Sequence, residues 1–102
     1  MDKDIELKIL KACFHTFPNA CLVKIHLADK EGIPFDVLDK EIIYLVGHGL
    51  IECHIQQQEL EPGEARYING TEPVFITSKG IDYLQKNGGF TKMLKSHFAT
   101  KR

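Results

Sequence analysis

Val23-Lys24-Ile25-His26-Leu27-Ala28-Asp29-Lys30-Glu31-Gly32-Ile33-Pro34-Phe35-Asp36 reads as a short helix, a tight turn and the start of a second helix. Gly32 closes the first helix, because glycine takes the left-handed conformation without steric penalty. Pro34 disfavours helix at Ile33, so Ile33-Pro34-Phe35 is the turn. Asp36 is the expected N-cap of the next helix, in which Leu38, Ile42 and Leu45 point inward at spacings of four and three. Gly47 and Gly49 end it. Two short helices joined this way form a helix-turn-helix unit.

The elements on either side extend the pattern. Ile5, Ile9, Leu10, Cys13, Phe14 and Phe17 line one side of a helix from about Asp4 to Phe17, and Pro18 stops it. Asp2, Asp4 and Glu6 stand at the positive end of its dipole. Residues 19–22 are a short extended connector. Beyond the central pair, Leu50 to Gln56 reads as a strand and Ala65-Arg66-Tyr67-Ile68 as a second, joined through Pro62-Gly63 and a loose acidic loop with Glu59, Glu61 and Glu64. Asn69-Gly70 turns the chain, and Val74-Phe75-Ile76 lead into a fourth helix with Thr77 as N-cap and Ile81 and Leu84 inward. Gly88-Gly89 end it. The order of helix, short strand, helix, turn, helix, hairpin and helix predicts an α+β winged helix-turn-helix: a three-helix core, a β-hairpin wing and C-terminal helices.

Three phrases resemble known winged-helix families. Leu27-Ala28-Asp29-Lys30-Glu31-Gly32-Ile33-Pro34 is similar to the helix–turn phrase of MarR-like and PadR-like bacterial regulators, and Leu45-Val46-Gly47-His48-Gly49-Leu50-Ile51 to the point where their third helix passes into the wing. Ile76 to Gly88 resembles the end of small YjcQ-like winged-helix proteins of bacteria and their phages. The resemblance implies a third helix that enters the major groove of DNA and a hairpin that touches the neighbouring backbone. Winged helices also serve protein partners, so the fold leaves function open.

The chain has 102 residues, enough for one domain: a winged-helix domain over 1–88, then a basic amphipathic helix or tail over 89–102. No apolar run approaches the ~18 residues of a membrane span, and the charged start is unlike a signal peptide. Three cysteines, Cys13, Cys21 and Cys53, without CxxC spacing point to a reducing cytoplasm rather than a disulfide scaffold. The formal net charge of −1 conceals an asymmetry: residues 1–91 hold nine Lys/Arg against fourteen Asp/Glu, while residues 92–102 hold Lys92, Lys95, Lys101, Arg102 and no acid. DNA-binding domains ordinarily carry a basic body, and this one does not.

With Leu38, Ile42 and Leu45 inward, helical geometry turns Asp36, Val37, Lys40, Ile43 and Tyr44 outward. Lys24, Lys40 and Arg66, with Lys79 beside them, are the cations expected on the recognition side, opposed by Asp36 and Asp39. Double-stranded DNA bound by a homodimer is the leading expectation, since a monomer with so few cations binds weakly and typical binders make ~6–10 phosphate contacts. The alternative is a protein-interaction module, which suits aliphatic Val37 and Ile43 beside Tyr44. Arg66 and Tyr67 are candidates to clamp a phosphate, with cross-strand packing as the other role of Tyr67. Phe90, Met93, Leu94 and Phe98 form an apolar stripe read as a dimerisation helix, as a segment folding back on the first helix, or as a frayed end with basic residues outside.

No enzyme, cofactor or metal is expected. Cys13 and His15 point in different directions along a helix, and Cys53-His54 alternate across a strand, so neither pair chelates. No nucleophile–base signature or glycine-rich phosphate loop is present. A redox pair of Cys21 and Cys53 requires their strands to pair. His26 and His48 are read as surface residues near helix ends.

Overall fold

The computed structural model describes residues 2–60 and 63–87, as four helices and two antiparallel strand pairs of an α+β fold. Helix α1 (Lys3–Thr16) starts at Asp2, whose carboxylate accepts hydrogen bonds from the Asp4 and Ile5 amides at 3.0 and 3.2 Å. Helix α2 (Val23–Glu31) ends where Gly32 turns left-handed at φ 68° and its N–H donates to the Ala28 carbonyl. Helix α3 (Phe35–Gly47) starts two residues earlier than expected, with Pro34 rather than Asp36 as N-cap. Asp36 is therefore no cap; it lies in the first turn, where its charge still meets the positive end of the dipole. Thr77 caps helix α4 (Ser78–Asn87), its hydroxyl oxygen accepting from the Gly80 amide at 2.9 Å.

The strands differ from the expected single hairpin. The segment from Leu50 to Gln56 is not one strand. Strand β1 (Ile51–Glu52) pairs with β4 (Phe75–Ile76), and β2 (Gln56–Leu60) pairs with β3 (Gly63–Tyr67). Between β1 and β2 the His54 amide donates to the Glu72 carboxylate at 2.9 Å, so a side chain takes the donor that a continuous ladder would have used. Glu59 and Glu64, expected in a loop, face one another in the β2–β3 register. Val74 is more than a lead into α4, since it bridges Cys21 with reciprocal backbone hydrogen bonds of 2.8 and 2.9 Å. Cys21 thus partners Val74, not the strand of Cys53.

Three charged residues join an otherwise apolar core. Ile9 and Leu10 of α1, Val23 of α2, Leu38, Ile42 and Leu45 of α3, Ile51, Ile68, Val74 and Leu84 are essentially inaccessible to water. Each contributes roughly 1.5–3 kcal/mol by its burial. Gly80 of α4 packs against the Leu50 carbonyl, and a Cβ there would stand 2.8 Å from Ile76 Cγ1 and closer still to the Leu50 oxygen. Among the described residues the buried charged side chains are Glu6, Lys24 and Glu41.

Candidate functional site

Helix α3 shows solvent the face opposite its apolar stripe. Asp36, Lys40 and Tyr44 are exposed, while Val37 and Ile43 are half-buried. Phe35, at the start of the helix, is the most exposed large apolar residue among the described residues, at 55%. On the β2–β3 hairpin Arg66 and Tyr67 are exposed, opposite Gln57 and Gln56 respectively. Successive strand residues point to opposite faces, so Arg66 and Tyr67 cannot grip one phosphate together.

Lys24 does not belong to this surface. It is only 9% exposed. Its ammonium donates to the Ile68 carbonyl at 2.7 Å, pairs with Asp39 at 2.9 Å and sits 5.0 Å from the centre of the Phe35 ring. The Asp39 carboxylate in turn accepts from the Ile68 amide at 3.0 Å. Both backbone groups of Ile68, the residue just past β3, are thus held by a charge pair drawn from α2 and α3. The expectation of Lys24 as a phosphate contact is corrected by this geometry: a neutralised, buried ammonium cannot reach a ligand. Its role is to fix the hairpin against α3.

On the other flank of α3, Tyr44 and His48 pack ring to ring at 4.3 Å and line a recess of about 140 Å3 with Glu6, Leu50, Lys79 and Tyr83. The Tyr83 hydroxyl donates to Glu6 Oε1 at 3.4 Å. Burial, and then the Glu6 carboxylate, hold the Tyr83 phenol above its ordinary value. Glu41, only 4% exposed, accepts from the Asp2 amide at 2.9 Å through Oε1, while its Oε2 has no hydrogen-bond partner among the described residues. This recess is not among the sites expected from the sequence. A signal was available, because Glu6, which lines it, stands three residues before Ile9 on an apolar stripe; Glu41, three after Leu38, breaks the stripe of α3 in the same way.

The cysteines are free thiols: Cys13 and Cys21 buried, Cys53 half-buried. The neighbouring Cys21 thiol, and then burial, raise the Cys13 thiol, while the Cys13 thiol lowers that of Cys21. Burial, and then Glu72, push Cys53 up to about 11. Among the described residues no group of three or more His, Cys, Asp or Glu is placed to hold a metal ion, and no helix is long and apolar enough to cross a membrane. Phe90, Met93, Leu94 and Phe98, with the whole segment 88–102, lie outside the described residues. Compared with known proteins the chain has no match: no family model, curated sequence or solved structure is significantly similar to it.

Proposed function

We propose that the chain is a winged-helix protein that binds double-stranded DNA as a homodimer, with α3 in the major groove and the β2–β3 hairpin as the wing on the flanking backbone. The observation that carries this reading is the tether at Ile68, which holds an exposed helix face and an exposed hairpin in one fixed relation. A helix with an open face is the element that the major groove admits, and a rigid hairpin beside it supplies backbone contacts without an ordering cost on binding. Lys40 contacts a phosphate at the edge of the groove and Arg66 one from the wing, while Asp36 disfavours phosphate at the start of α3, so that end of the helix faces bases. Two cations per protomer are few, which is why the reading includes a dimer; the spacing of Phe90, Met93, Leu94 and Phe98 in the sequence supports one. A transcriptional role in a reducing cytoplasm follows from the same reading.

The test is amide chemical-shift mapping with a duplex. Shifts confined to residues 36–47 and 63–67, and halved or lost in Lys40→Ala and Arg66→Ala, support the reading. Shifts elsewhere, or none, overturn it.

A second reading, a protein-interaction module on the same scaffold, is favoured by the burial of Lys24. With that cation withdrawn, Phe35, Val37, Ile43 and Tyr44 outweigh Lys40 on the open side of α3. Ile43→Asp discriminates: it abolishes partner capture on this reading, while any partner still bound at wild-type strength rules the reading out.

A further inference from the structure

The recess beside α3 has charged groups of both signs and aromatic walls. Glu6 is 6% exposed, and among the described residues its carboxylate has a single long hydrogen bond, from Tyr83, and no ion pair. A buried carboxylate so weakly compensated is a place where a cation is favoured. The same recess is bounded by Lys79, an exposed residue in the first turn of α4, where the helix dipole adds to its positive charge. Lys79 lies along Gly49, with Nζ 3.9 Å from where a Cβ would stand there, and it makes no ion pair with Glu6. Tyr44 and Tyr83 line the recess, and aromatic rings attract an ammonium group. The volume, about 140 Å3, is close to that of a ~150 Å3 cavity which accepts a benzene-sized ligand.

We propose that this recess binds a small zwitterion of the α-amino-acid class, with its ammonium on Glu6 against Tyr44 and Tyr83 and its carboxylate on Lys79. A simple amine would meet the repulsion of Lys79, and a simple carboxylate that of Glu6; a small zwitterion satisfies both. Leu50 adds an apolar group to the lining, and the small volume favours an amino acid with a short side chain. The binding does not depend on the DNA reading. Where both hold, the occupant touches Tyr44 and His48 on the helix that carries Lys40, so it can bias that helix's contacts.

The experiment is a titration of the isotope-labelled chain with glycine, alanine and serine, followed by amide shifts, with methylammonium and acetate as single-charge probes. The expected result is saturable movement at Tyr44, His48, Lys79 and Tyr83 at ~1 mM amino acid or below, with both single-charge probes at least about tenfold weaker. Glu6→Gln and Lys79→Met should each weaken binding by about tenfold. If Glu6→Gln does not fold, Lys79→Met and the probe comparison still decide. Absence of saturation by ~10 mM, equal binding of methylammonium, or shifts away from the recess each overturn the proposal.

Discussion

Replacing Lys24 with methionine keeps the length and the apolar stem of the side chain but removes the ammonium that joins α2, α3 and the hairpin. The Ile68 carbonyl then loses its 2.7 Å donor and Asp39 its 2.9 Å counter-charge, leaving a carboxylate compensated only by the Ile68 amide. Removing one partner of a buried pair costs ~3–5 kcal/mol. The Lys24 and Asp39 side chains keep 11% and 16% exposure, so some water reaches the orphaned charge, and the low end applies: about 3 kcal/mol. Against a total of ~5–15 kcal/mol for a domain, this is a large fraction. In urea denaturation, with a slope of ~1–3 kcal/mol per molar, the midpoint falls by roughly 1–3 M. Asp39→Asn should cost less, near 2 kcal/mol, because the amide oxygen still accepts from Ile68. The double variant should show a coupling of at least ~1 kcal/mol. Hydrogen exchange at Ile68 should accelerate selectively in either single variant. A Lys24→Met protein within ~0.5 kcal/mol of the parent, without coupling to Asp39, would refute the reasoning and return Lys24 to the surface.

Three further outcomes follow from local geometry. Gly80→Ala should lose at least ~3 kcal/mol in thermal or urea unfolding, because its Cβ has no room between Leu50 and Ile76; Gly47→Ala, with open space around it, should be neutral or stabilised by up to ~1 kcal/mol. Thr77→Ala removes both the cap on the Gly80 amide and the hydroxyl donated to the Gly49 carbonyl at 2.7 Å, and should cost ~1–2 kcal/mol by the same assays. The Cys53 thiol, raised from near 9 to about 11, is protonated in the folded protein after the unfolded chain has ionised. Stability from this group is therefore complete below pH 9 and lost between 9 and 11, by roughly 1 kcal/mol at its partial exposure; Cys53→Ala should lack that part of the pH dependence, and an unchanged profile would contradict it.

The helical part of the fold was legible because its signals are local. The three-four spacing of Leu38, Ile42 and Leu45, the αL glycine at 32 and the Thr77 cap each act within one turn, and each lies where the spacing predicts. The strands were less legible because pairing is a long-range choice. Ile51 and Glu52 pair with Ile76 and Phe75, more than twenty residues away, and no local pattern separates them from Gln56 onward. The open face of α3 was legible, because it follows from periodicity alone. Lys24 departs from the expected surface position because, beside Val23 and three residues before Leu27, it lies on the buried stripe of a short helix. Glu6 and Glu41 break their stripes in the same way. In this chain, a charged residue at an apolar-stripe position was the feature that marked both the hairpin tether and the recess.

The most direct test of the central claim, that α3 and the hairpin engage duplex DNA, is fluorescence anisotropy of a labelled duplex titrated at several salt concentrations. With Lys40 and Arg66 as phosphate contacts, log K against log salt should fall with a slope of about −2 per protomer, or −4 for a dimer, and Lys40→Ala should reduce it by about 1 per protomer. An unchanged anisotropy at tens of micromolar protein in low salt, or a slope indifferent to both substitutions, would contradict the claim.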